Sequence, residues 1–306
     1  MMLLSVVVTA YNDEDYVSAA LESVYDQRVG NHKLEVIVVN NCSTDGTQKK
    51  LERLQKQYAF TLLTTTHNGG PSLARNTGIL AASGEKIAFL DGDDYWLEGR
   101  MNTLLKEALQ TKAGVVFSDA LIEQDGALTD IKQSSLMAPP NPKDNMLEHL
   151  FKRNCINMCA VLMDTSLAKK VRFNESLASA EDYDFWIRTA ASGVSFSFVD
   201  QPLVVYRRYG ESLSSRRLHS IDNTLTMLQQ NKNLATTTTA LSNLKQQKTD
   251  LYEERLKVSE SRADILKSIK KLRSLRKLGK KEVLILRTTQ LAGFAAGKNL
   301  INKLVY

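Results

Sequence analysis

The feature that most constrains this 306-residue chain is an alternation. Short apolar runs at Leu3–Ala10, Leu34–Val39, Phe60–Thr66 and Lys86–Leu90 are separated by stretches of helical periodicity. Runs of this length, rich in β-branched residues, read as buried strands. Val17, Ala20, Leu21 and Val24 fall at helical spacing, and Thr47–Tyr58 reads as a second helix. Pro71 opens a third, reaching about Ala82. A helix near Leu97–Leu109 and a strand at Gly114–Ser118 follow. Strand and helix repeating at this interval mean βαβ units and a mainly parallel sheet.

In such a sheet ligands sit beyond the carboxyl ends of the strands. Three polar turns lie there: Tyr11-Asn12, Asn40-Asn41 and Asp91-Gly92-Asp93-Asp94. The third ends the apolar run Ile87–Leu90 in three carboxylates over four positions. Carboxylates so close raise one another's proton affinity. A core strand tolerates that where a cation offsets the charge. Mg²⁺ and Mn²⁺ prefer oxygen ligands and bridge carboxylates to phosphate oxygens. Capping of the next helix accounts for one of the three, Asp93 or Asp94. The acidic turn therefore predicts a divalent metal site holding a phosphorylated ligand.

Two later segments carry chemistry. In Glu181-Asp182-Tyr183-Asp184-Phe185-Trp186 a carboxylate at a helix start, beside aromatics, suits a general base. The plainer alternative is a first turn that satisfies the helix dipole above a core of Phe185 and Trp186. In His67-Asn68-Gly69-Gly70-Pro71, running on to Gly78, glycines permit close approach and Arg75 can meet a phosphate or base. The four histidines have no metal spacing. Cys42, Cys155 and Cys159 form no disulfide framework, which points to a reducing compartment.

Together these pieces resemble the family 2 glycosyltransferases of the GT-A fold. They occur in family order: Val6–Asn12, Val38–Thr47, Gly70–Gly78 with Ala74-Arg75-Asn76, Phe89–Asp94, and Glu181-Asp182 before Trp186. The resemblance covers about residues 1–215. It implies an α/β fold, a Rossmann-like mostly parallel sheet, with a C-terminal helical extension at 216–306. It also implies inverting transfer of a hexose from a nucleotide diphosphate sugar, UDP-linked by preference, to a glycan or glycolipid hydroxyl. Thr9, Tyr11, Asn41, Arg75, Asp91 and Asp93 would bind the donor. Asp93 and Asp91 would hold Mn²⁺ or Mg²⁺, and Asp182 would be the base. Glu181, Asp94, Arg207, Arg208 and Tyr209 are further candidates. Two departures stand out. Asn40-Asn41 replaces a usual pair of aspartates, and Tyr209 takes the place of a usual histidine.

Charge is unevenly spread. Residues 1–244 hold 24 basic against 28 acidic side chains, and residues 245–306 hold 16 against 6. A basic tail points to an anionic surface, here peripheral contact with the inner face of a membrane. It has few aromatics to stack on bases, so nucleic acid is not expected. Leu244, Leu251, Val258, Ile265 and Leu272 recur every seventh residue beside a mostly basic column that includes Lys248, Arg255 and Arg276. That pattern fits a weak coiled-coil seam, hence a homo-oligomer, or a helix lying on a surface. The start lacks a basic region, and no apolar stretch reaches bilayer length, so a cytoplasmic location is expected. Two rivals share these motifs: a metal-dependent nucleotidyltransferase and a non-catalytic sugar-nucleotide binding protein.

Overall fold

A computed structural model describes residues 1–137, 139, 145–208, 217–259, 261–276, 283–286, 288–289 and 294–305. The chain divides into two compact units. Met1–Leu150 with Asn154–Gly210 form the first, and Phe151–Arg153 with Glu211–Tyr306 form the second.

In the first unit, strands β1 (Leu3–Ala10), β2 (Lys33–Asn40), β3 (Thr61–Thr64) and β4 (Lys86–Asp91) pair in parallel in the order β3-β2-β1-β4. Helices α1 (Val17–Tyr25), α2 (Thr47–Leu54) and α3 (Gly70–Ala81) connect them. This is the expected βαβ half. Leu4, Val6, Val8, Val38, Ala88 and Leu90 are buried against Val17, Leu21 and Val24 of α1. Each buried Val or Leu among them contributes about 1.5–3 kcal/mol. Gly78 lets α3 lie directly on β1, since a Cβ there would meet Val7 Cγ1 at 2.3 Å. The register sets Thr9 beside Asp91 and Ala10 beside Asn40. The three polar turns therefore share one edge.

The rest of the sheet is mixed. It contains β5 (Tyr95–Trp96), β6 (Val115–Gln124), β7 (Ala127–Lys132), β8 (Val161–Asp164) and β9 (Phe196–Arg208). β8 runs antiparallel between β4 and β6, β9 is parallel to β6, and β5 closes the order on β9. β7 pairs with β6 through the two-residue turn Asp125-Gly126, whose φ angles are 49° and 81°. Positive φ at both residues matches the twist of the flanking strands. Helix α4 (Arg100–Thr111) starts after the left-handed Gly99, three residues later than its apolar pattern suggests. Short helices α5 (Gln133–Met137), α6 (Met146–Leu150) and α7 (Thr165–Val171) lead to α8 (Glu181–Ala191). Residues 157–164 read as a single strand, but Asn157 Oδ1 accepts the Cys159 N–H and caps a 3-10 turn at Met158–Ala160. Only Val161–Asp164 remain extended. Of the proline-rich loop expected after residue 137, only Pro139 lies among the described residues.

The second unit is helical: α9 (Arg217–Gln230), α10 (Thr238–Val258), α11 (Arg262–Leu275) and α12 (Phe294–Val305). The break expected near Thr236–Thr239 is present, with Thr237 Oγ1 capping α10 through the Ala240 N–H. Ile265 and Leu272 of the heptad column are fully buried within the unit. The basic column beside it is not a plain solvated face. Arg255 is 1% exposed and bonds Asp222 of α9 and both Asp264 and Ser268 of α11. Arg276 pairs with Glu253. Among the described residues no helix is long and apolar enough to cross a membrane.

Candidate active site

The acidic edge contains two kinds of carboxylate. Asp91, the last residue of β4, is fully engaged. Its Oδ1 accepts from Thr9 Oγ1 at 3.0 Å and from Arg75 Nη2 at 2.9 Å, and its Oδ2 accepts from the same Nη2 at 3.0 Å. Arg75, projecting from α3, has a side chain only 6% exposed. Its Nη1 donates to Glu181 Oε1 at 2.9 Å, and its guanidinium lies 5.4 Å from the Phe173 ring centroid. Burial alone would raise the Asp91 pKa, but Arg75 overrides it and holds the carboxyl below its usual range. Arg75 is thus a bridge, and it ties the start of α8 to the end of β4.

Asp13, Asp93 and Asp94 crowd one another instead. Asp13 is buried, and its Oδ2 accepts the Tyr11 N–H at 2.9 Å. Burial, then the nearby Asp93, push its pKa up to about 8. Asp94 is also buried; burial, then Asp93 and Asp91, raise its pKa well above normal. Asp94 does not cap α4: its Oδ1 accepts the Arg207 N–H at 2.9 Å across the sheet. Asp93 is half-buried between them. The packing is close enough that the second position of the turn must be glycine. A Cβ on Gly92 would lie 2.5 Å from Asp13 Oδ2.

Asp182 occupies the first turn of α8, after the left-handed Ala180. Its Oδ1 accepts the Tyr183 N–H at 2.6 Å and its Oδ2 accepts from Asn154 Nδ2 at 3.1 Å. Burial first, then Glu181, raise its pKa to about 6. Such a carboxylate is ionised at pH 7 yet has an appreciable proton affinity, as a general base requires. Asp184 is paired with Arg188, while Phe185 and Trp186 are core residues. The helix start thus serves both packing and the site.

The remaining candidates surround this edge. Tyr11 is 45% exposed at the end of β1. Asn41 is buried, and its Nδ2 donates to Asn68 Oδ1 and to the Gly70 carbonyl, while its Oδ1 accepts from Thr65 Oγ1. The carbonyl partner fixes the amide orientation. Asn41 therefore has no donor left and one acceptor lone pair remaining. Arg207 bonds Glu123 and the Asp93 carbonyl and lies over the rings of Tyr95 and Tyr16. It braces the acidic turn from below. Arg208 is exposed, its guanidinium 5.6 Å from the Tyr206 centroid. Tyr209 lies outside the described residues.

Two members of the edge escape a reading of the sequence. Asp13 has the look of a helix cap, but α1 starts later, at Val17, and uses only the Asp13 carbonyl. Cys159 has the look of a small core residue, yet its Sγ accepts the Asp91 N–H at 3.2 Å. Neither residue stands in the acidic motif, and a turn or spacing signal could not have found them.

The donor set fits a hard divalent cation. Asp91, Asp94 and Cys159 each bring a ligand atom within 4.8 Å of the others. Burial first, then the charges of Asp93 and Asp91, raise the proton affinity of Asp13 and Asp94, so negative charge is concentrated at this turn. Burial keeps the Cys159 thiol protonated, so the useful ligands are oxygens.

A parallel half-sheet continued by mixed strands, with an acidic turn at its carboxyl edge, is a glycosyltransferase fold of the GT-A class. The chain belongs to glycosyl transferase family 2, whose family model matches residues 5–169, more than half of it. Asp182 and Arg207 lie beyond the matched span. Among curated relatives, UDP-Glc:alpha-D-GlcNAc-diphosphoundecaprenol beta-1,3-glucosyltransferase WfaP of Escherichia coli is 26% identical, covering 72% of this chain and 83% of that protein. Among solved structures, Staphylococcus aureus TarS 1-349 in complex with UDP-GlcNAc superposes with a TM-score of 0.71 at 19% identity, covering 98% of this chain and 91% of that one. The mannosyltransferase PcManGT of Pyrobaculum calidifontis, in complex with GDP-Man and Mn²⁺, gives a TM-score of 0.64 at 16% identity, covering 99% and 85%. At these identities the structural matches speak for the fold.

Proposed function

We propose that this glycosyltransferase moves a sugar, with inversion, from a nucleotide diphosphate sugar to a hydroxyl of a glycan or glycolipid acceptor in polysaccharide biosynthesis. The observation that carries the reading is the Arg75 bridge, which joins the acidic turn to the helix start bearing Asp182. Metal chemistry and proton removal are then available at one edge. Asp182, ionised at neutral pH, takes the acceptor proton as the hydroxyl attacks the anomeric carbon. Single displacement inverts that centre, and the name of WfaP describes the same change from a UDP-sugar to a β linkage. Asp93 and Asp91 would hold Mn²⁺ or Mg²⁺, which offsets charge developing on the diphosphate leaving group.

The donor reading rests on Tyr11 and Asn41. The exposed Tyr11 ring stacks the base. Asn41, having only an acceptor to offer, selects a ring N–H such as that of uracil. Thr9 and Arg75 act by setting Asp91. We place the transferase in residues 1–215 and the basic helical extension in 216–306, where it holds the enzyme at an anionic membrane surface. Liposome co-sedimentation of the full chain at low and high salt checks that contact; identical pelleting with and without anionic lipid removes it. A thermal-shift panel of UDP, GDP, CDP and ADP with and without Mn²⁺ tests the donor. UDP with Mn²⁺ should give the largest rise in Tm. Equal response to CDP would overturn the role of Asn41.

A further inference from the structure

A short segment, Asn154–Cys159, touches both chemical groups of the edge from behind. At one end Asn154 Nδ2 donates to Asp182 Oδ2 at 3.1 Å, while Asn154 Oδ1 accepts the Ile156 N–H at 3.2 Å. In the middle Asn157 caps the 3-10 turn through the Cys159 N–H at 2.8 Å and donates to Gln133 Oε1 of α5 at 3.0 Å. At the other end Cys159 Sγ receives the Asp91 N–H, and its carbonyl accepts from Trp96 Nε1 at 3.1 Å and Arg100 Nη2 at 2.8 Å. Arg100 is fully buried, bonds the Val161 carbonyl as well, and lies 3.8 Å from the Trp96 ring centroid. The Cys159 end is therefore rigidly anchored, and the Asn154 end is presented to the base.

We propose that Asn154 is a positioning residue for the transfer reaction: its amide N–H fixes the rotamer of Asp182 and favours the ionised carboxylate that receives the acceptor proton. This deepens the assignment of Asp182 as base and rests on it. An amide can act here because it donates to the carboxylate without adding charge. The other carboxylate oxygen is fixed by the Tyr183 N–H, so the two bonds together orient the group. The charged groups around Asp182 are Glu181 on its own helix and Arg75 from α3. Helices α6 and α7, which also pack on α8, carry Glu148, His149, Lys169 and Lys170, and the leading influences on Asp182 are instead burial, Glu181 and Arg75. Asn154 and the Tyr183 N–H oppose the first two of these.

The test is a ¹³C NMR titration of aspartate carboxyls in the full chain, with Asp182 identified by the signal lost in Asp182→Asn. The Asp182 midpoint should lie near 6 in the wild type. It should rise by about one pH unit in Asn154→Ala, which removes one hydrogen bond to the charged form. Asn154→Asp keeps the Ile156 cap and should raise it further, which guards against simple loss of fold in the alanine variant. An unchanged midpoint in both variants overturns the proposal. In parallel, UDP release from UDP-GlcNAc with water as acceptor should lose its acid limb at correspondingly higher pH in Asn154→Ala, with KM unchanged. Full turnover by Asp182→Asn would instead overturn the base assignment, while the NMR result on Asn154 would still stand or fall by itself.

Discussion

Two groups of carboxylates share one sheet edge and differ in what neutralises them. Asp91 and Glu181 are matched by Arg75, which the chain supplies itself. Asp13 and Asp94 each sit near Asp93, and burial first, then that charge, make both hold protons more tightly. Arg75 braces the first group and ties two elements together, and Asp91 also borders the acidic turn. The second group concentrates negative charge, which a divalent ion and a diphosphate can use. A site strained in this way trades stability for function. An acidic motif therefore does not divide its roles by spacing. Asp91, two residues before Asp93, belongs to both groups: Arg75 pairs with it, and its charge helps raise the proton affinity of Asp13 and Asp94.

Substitutions that exchange the fates of the two groups test the division. The largest effects should fall on turnover. Asp93→Ala and Asp182→Asn should each lower UDP release from a UDP-sugar by about a thousand-fold or more, with circular dichroism unchanged. Arg75→Met should act on the fold, because it removes a buried cation and strands two partly buried carboxylates. A loss of roughly 3–5 kcal/mol is expected in urea unfolding. Asp13→Asn should do the reverse. Burial, then Asp93, push the Asp13 carboxyl up to about 8 in the folded chain, from an ordinary 3.8. Below about pH 4 it is protonated in both states. Between about 4 and 8 the unfolded chain has released the proton and the folded chain retains it, so stability falls as pH rises through that window. An amide at this position has no proton to lose. The variant should therefore be more stable than wild type at pH 8, by roughly 5 kcal/mol at about 1.4 kcal/mol for each pH unit of that window, and indistinguishable near pH 4. A destabilised Asp13→Asn at pH 8 would show that the charge is offset within the chain.

Much of the first group's scaffold is legible in the sequence. The apolar runs of β1, β2 and β4 and the polar turns after them define the edge, because a short continuous apolar run is a local signal. The partners are not local. Arg75 meets Glu181 across 106 positions, and Asn154 meets Asp182 across 28. Asp13 resembles a helix cap until its carboxylate is found beneath Gly92. β8 enters antiparallel between β4 and β6, a pairing between segments far apart in sequence that no local pattern announces. In the second unit, the basic column beside the heptad repeat turns inward because Asp222 and Asp264, 33 and 9 positions away, are there to receive Arg255.

On this account a divalent cation held by Asp93 and Asp91 would be shared with the donor diphosphate. Isothermal titration of UDP into the metal-stripped protein, with and without Mn²⁺, tests this directly. Mn²⁺ should tighten UDP binding by about tenfold or more, and Asp93→Asn should remove the gain while leaving metal-free binding in place. Equal UDP affinity with and without Mn²⁺ in the wild type would contradict it.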